Sequence, residues 1–324
     1  MKNHADDRGY PHFYPQTYVL RRGDPNQKAE PATQSFLQVL MRGADASHWQ
    51  QPPPQGARTS YRRRALAEWL TDVDHGAGAL AARVMANRLW QHHLGRGIVA
   101  TPSDFGTRGA PPTHPELLDH LASELVAGGW RLKPLHRLIM LSSTYQAAST
   151  YDPAKAAADP DNLLLWRRPV RRLESEAIRD TMLSVAGILD TTMYGPGTRD
   201  PASKRRSVYF TVKRSSLIPM MTVFDAPEAL TPIADRATTT IAPQALLLMN
   251  NAQVREYAKA LAKRVAGTTV EASVRSAYEI ALGRPPTSDE LADAAAFIGS
   301  DAKDQGLVDF CQALMCLNEF VYVD

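Results

Sequence analysis

The stretch RVMANRLWQHHLGRGIVATPSDFGTRGAPPTHPELLDHLASEL, residues 83–125, decides how this chain is built. Val84, Leu89, Trp90 and Leu94 fall near helical spacing, and Gly95 with Gly97 ends that pattern as C-terminal helix signals do. Thr113-His-Pro-Glu116 then reads as a capping box. The threonine oxygen can accept from a first-turn N–H while Glu116 reaches back to the cap. Pro115 suits a first turn, where its missing N–H would have had no helical partner. Between the two helices lies a loop dense in Gly, Pro and polar side chains, with Asp104, Arg108 and His114 inside eleven positions. Two helices holding such a loop still make 101–116 the first place to look for a site.

Working outward, 324 residues are enough for two or three packed units around a sizeable core. A hydrophobic content of 44% with 22% charged residues is that of an ordinary globular protein. The net charge of +3 is small, because 37 cationic and 34 anionic side chains nearly cancel. No basic run is interleaved with aromatics, which argues against a nucleic-acid surface. Of the 37 cations 28 are arginine, a side chain suited to bidentate pairing with carboxylates, although codon bias explains the excess more simply. There is no 18-residue apolar run and so no membrane span. Cys311 and Cys316, five apart on one predicted helix, read as small buried side chains rather than a disulfide or metal pair. Without a C-x-x-C-H motif the chain cannot attach its own c-type haem, and no cofactor is expected in it. Met1 to Tyr10 lacks a hydrophobic core and is no signal peptide. Taken literally that means a cytoplasmic protein, but a chain beginning inside a longer one would look the same.

In chain order, residues 1–56 read as an irregular arm. It holds an extended run at Tyr18–Leu20, a turn at Arg22–Pro25, a helix around 35–41 and the stiff Gln51-Pro-Pro-Pro-Gln55 linker. Residues 57–150 read as a helical subdomain, with helices near 59–71, the two of the opening stretch, and one near 134–147. Residues 151–242 combine a polar linker (151–164), a helix opening at Arg171 and running to about Leu189, and a loop at 194–203. The one credible strand is Arg206–Arg214, which alternates and is rich in β-branched and aromatic residues; 220–237 reads as irregular. Residues 243–324 form a C-terminal subdomain of four helices, near 243–265, 270–282, 287–299 and 304–320. The fold class is mainly α, a multi-helix globular bundle with a little β, one or two short strands near 206–214.

Several constellations could carry chemistry. His114 and Glu116 could move protons with Asp104 as carboxylate partner, since an imidazole beside a carboxylate shifts readily into working range. The structural alternative, a loop-anchoring His114 and a capping Glu116, is favoured. Five of the nine histidines lie between 92 and 136, and Glu116 with His120 shares a helix face. A zinc or iron site needs three or four converging ligands, so no metal is assigned. A second cluster, Arg171, Arg172, Glu174, Glu176, Arg179 and Asp180, offers two carboxylates that could work as in glycoside hydrolysis. Opposite charges three and four apart more often make a paired helix surface. Arg88, Arg108, Arg172, Glu176, Tyr209, Lys213, Arg214 and Asp225 form the candidate ligand-binding set, the strand-end group being suited to an anionic moiety. There is no nucleophile elbow, phosphate loop, H-E-x-x-H or dinucleotide fingerprint.

Three separated blocks share one look: Arg64–Leu70 through Thr113–Asp119, Leu135–Tyr145, and Arg171–Glu174 with Ile178–Asp180. Together with Arg206–Phe210, Phe224–Pro227, Thr239–Leu246, Leu317–Val323 and the arm's Thr17–Asp24, they closely resemble the planctomycete-type family of domain of unknown function 1553. Where that family usually has tryptophan this chain has His120, so a metal site common to the family should not depend on it. The resemblance implies a C-terminal module of an exported protein, behind a secretion signal, a cytochrome c haem domain and a second uncharacterised domain. Those two domains are the implied partners, and the implied location is extracytoplasmic. No biochemical activity comes with the resemblance. Three functions follow as expectations: an accessory or interaction module beside the haem domain, with loop 101–116 as its contact surface; a hydrolase acting on an extracellular polymer through Asp104, His114 and Glu116; or a structural envelope component whose polar residues are all internally satisfied.

Overall fold

The computed structural model describes residues 17–56, 60–213, 215–227, 233–299 and 305–323. The chain divides into two compact units, 1–146 and 147–324.

The first unit opens with a hairpin of β1 (Thr17–Leu20) and β2 (Lys28–Ala32), antiparallel with Thr17 opposite Ala32. The Asp24 carboxylate folds the turn by accepting from the Asn26 N–H and the Gln27 amide. Four helices follow: α1 (Arg62–Thr71), α2 (Gly78–Leu94), α3 (Pro115–Ala127) and α4 (Leu132–Met140). The longest, α2, packs along α3 and touches both α1 and α4. Its buried face carries Ala82, Ala86, Leu89, Trp90 and Leu94, while α3 buries Leu118, Leu121 and Leu125 and α4 buries Leu135 and Ile139. The chain reaches α2 through a tight reversal at 72–78. A side chain on Gly78 would lie 2.6 Å from the Asp72 carbonyl, so only glycine lets α2 start there. The segment before α1 contributes to the core. Phe36 stacks on Trp69 at 5.2 Å and meets Trp49 edge-on, closing a cluster with Met41, Ala65 and Ala77.

The capping box expected at Thr113 does not form. The cap position of α3 is His114, one residue later. Thr113 is tied elsewhere: its N–H donates to the Ile98 carbonyl at 2.9 Å, and its hydroxyl lies 2.9 Å from His114 Nδ1. With Pro115 at the first helical position, the helix starts too late for Thr113 and Glu116 to stand three apart across the cap.

The second unit contains α5 (Pro153–Ala158), β3 (Arg171–Arg172), α6 (Ser175–Val185), α7 (Pro219–Val223), α8 (Ala242–Asn250), α9 (Ala252–Val265), α10 (Val270–Leu282), α11 (Ser288–Ile298), α12 (Gln305–Met315), α13 (Asn318–Val321) and β4 (Tyr322–Val323). The centre is α9, whose Val254, Tyr257, Ala258, Leu261, Ala262 and Val265 are all buried. Around it α6 supplies Ile178, Met182 and Leu183, α10 Val274 and Ala277, and α12 Phe310, Cys311, Leu314 and Met315, in one cluster. β4 returns to pair with β3, Arg172 opposite Tyr322, which joins the end of this unit to the entry of α6.

Three local expectations are corrected here. The polar stretch 151–164 is not all loop: Asp152 accepts from the Ala154 and Lys155 N–H groups and starts α5, with Pro153 at its first position. The helix expected over 243–265 is two, because Asn251 is extended and its side chain caps α9. The strand expected over 206–214 is not one in its described part. Ser207–Tyr209 is a 3-10 turn, and only isolated bridges, Thr198 with Phe210 and Lys213 with Ser216, touch the segment. Alternation favours a strand only where a neighbouring strand can complete the ladder; here side-chain ties from α6 capture the segment instead.

Candidate functional site

In the first unit, loop 101–116 is held by its backbone. Asn87, buried on α2, accepts from the Val99 N–H at 2.8 Å and donates to the Val99 carbonyl at 3.0 Å. Thr101 Oγ1 donates to the Asp104 carbonyl and accepts from the Ala110 N–H. A side chain on Gly109 would stand 1.8 Å from that same carbonyl, so the loop closes on itself at a glycine. This scaffold brings Asp104 and Arg108 to 3.7 Å, with the arginine 88% exposed. Arg88 and Glu116 are exposed on α2 and α3. Among the described residues no hydrogen bond or ion pair joins His114 or Glu116 to Asp104, so the expected proton-transfer trio is not assembled. His93 Nε2 lies 2.7 Å from His136 Nδ1, joining α2 to α4 as a pair. No group of three or more His, Cys, Asp or Glu among the described residues could hold a metal ion.

In the second unit an open groove of about 460 Å³ runs along α6. Glu174, Glu176 and Asp180 line it, with Thr181 and Ser184 along the helix and Leu189, Arg206 and Val208 opposite. Each buried or half-buried carboxylate in it is already bound. Glu176 receives the Arg236 guanidinium bidentately, at 2.7 and 3.1 Å, and the Ser175 hydroxyl at 2.8 Å. Burial works to raise its pKa, but the Arg236 and Ser175 bonds outweigh that and hold the carboxyl below its ordinary value. Asp180 Oδ1 accepts from both the N–H and the hydroxyl of Ser207, each at 2.7 Å, and Asp180 Oδ2 faces Arg206 at 3.5 Å.

Below the groove Arg179 is 1% exposed. It donates to the carbonyls of Arg205 and Ser203 and to Ser207 Oγ, and lies 4.5 Å over the Phe210 ring. It ties 203–210 against α6, in keeping with the structural reading favoured for this cluster from the sequence.

Arg172 and Asp225, named separately from the sequence, meet at 2.5 Å. Asp225, at a left-handed φ of 62°, also accepts from the N–H and hydroxyl of Thr239. Tyr209 has its ring under Arg205 at 3.7 Å, and its hydroxyl accepts from the Tyr194 N–H. Lys213 contributes a backbone carbonyl to a turn with Ser216. Arg214 lies outside the described residues. Reasoning from sequence missed Arg236, Ser207, Thr239 and Arg205. Ser207 and Thr239 stand inside segments that carry the family resemblance, but their partners, and that of Arg236, lie 27, 14 and 60 positions away, beyond any local spacing.

The loop at 101–116 thus belongs to the first unit and the α6 groove to the second. No helix among the described residues is long and apolar enough to cross a membrane.

What the two units define is a mainly helical module with ordered polar surfaces. Its residues 62–298 match the family model described as PSD1, protein of unknown function (DUF1553). That is well over half of the chain, and the chain belongs to this family. No curated protein and no solved structure matches it.

Proposed function

We propose that this chain is a non-catalytic accessory module of an exported protein, binding beside a cytochrome c haem domain. The observation that supports it most is the state of the α6 groove. A general acid or base needs a proton it can exchange near working pH. Glu176 is held ionised by Arg236, and Asp180 is occupied by Ser207 and Arg206. Both carboxylates are engaged in organising a surface. The haem partner and the extracytoplasmic setting are supported by the family resemblance alone.

The hydrolase reading has less behind it, because Asp104 pairs with an exposed arginine and His114 with its neighbour Thr113. The purely structural reading expects every named polar group to be satisfied, yet Nε and Nη1 of buried Arg172 have no hydrogen-bond partner among the described residues.

The test mixes this protein with the haem-containing domain of a longer family member and follows heat of binding by calorimetry. Saturable binding that weakens with salt supports the proposal, and no heat at the highest reachable concentrations refutes it.

A further inference from the structure

We draw no further inference here: the strongest candidate, the exposed apolar face that α8 presents with Leu246 and Met249 in a stretch free of charged residues from 237 to 254, is an unpartnered surface patch, and nothing in the structure shows what covers it.

Discussion

Asp180→Ala separates a scaffold carboxylate from a catalytic one. The substitution removes the acceptor of two 2.7 Å bonds from Ser207, a residue with only 4% of its surface exposed. The hydroxyl can rotate, but the backbone N–H cannot, and a buried donor left unmade costs about 1–3 kcal/mol. The same change takes away the carboxylate 3.7 Å from the buried Arg179 guanidinium. Removing one partner of a buried pair costs about 3–5 kcal/mol. Here the distance is long and the remaining carbonyl acceptors stay in place, so the lower end applies. The two effects share atoms and do not add fully, which gives about 3–5 kcal/mol in all. For a unit of this size each kcal/mol moves the melting temperature by about 2–4 °C, so the transition falls by about 6–20 °C. Asp180→Asn keeps one acceptor oxygen and loses the charge, so it falls between parent and alanine variant. Calorimetric melts of the three proteins make the measurement. An alanine variant that melts at or above the parent would refute the reasoning: the carboxylate would then be held at the fold's expense, as active-site groups are, and catalysis in the groove would return.

Asn87→Ala strips both backbone bonds from Val99 in a buried position and lowers stability by about 1–3 kcal/mol, whereas Asp104→Ala, losing only a contact to an arginine that is largely in water, changes it by less than about 0.5 kcal/mol; equal effects in thermal melts would contradict this account of the loop. Glu290 has its carboxyl lowered to about 2 by the Arg284 guanidinium and the Thr287 N–H. A lowered carboxylate contributes stability that is complete above its ordinary value and is lost as pH falls from about 4.5 towards about 2, so melts over that range steepen in the parent and flatten in Arg284→Gln. Burial pushes the Cys311 thiol up to about 12, and the native protein should leave it unmodified by a thiol reagent at neutral pH until denatured; labelling at the rate of a free thiol would show the α12 core to be open.

Helices were legible where periodicity and end signals coincide. The helix expected from about 287 does start there, with Thr287 and Glu290 in a reciprocal capping box on α11. Thr113 and Glu116 carry the same signal and do not form one, because Ile98 holds Thr113 one residue outside the helix. A local pattern specifies a cap only if the tertiary structure leaves its residues free to use it. The β content shows the limit more sharply. Among the described residues the alternating run at 206–213 meets only isolated bridges, while in the same unit Arg171–Arg172 pairs with Tyr322–Val323, two residues on each side and with no sequence signature. In the candidate site, residue types were readable and partners were not. Arg172 and Asp225 meet across 53 positions, and Glu176 finds Arg236 across 60.

The arginine excess takes on a physical meaning in the second unit. Arg179 ties α6 to the carbonyls of 203 and 205, Arg205 ties three carbonyls of 192–196, and Arg264 holds the carbonyls of Ser184 and Val185 at the end of α6. Arg284 clamps Glu290 and Glu319 together. A planar fork with five donors can satisfy several loop carbonyls at once, which a lysine ammonium on a flexible stem does less well. The long connection from 186 to 218 has little regular structure of its own, so its backbone groups need such partners. Of the arginines named as ligand-binding candidates from the sequence, Arg172 is committed to Asp225, Arg88 and Arg108 stand exposed in the first unit, and Arg214 lies outside the described residues. The connection also leaves Met193 and Tyr194 exposed. With Glu176 held by Arg236 and Asp180 tied to Ser207, a binding assay is a better first experiment for this family member than turnover in the groove.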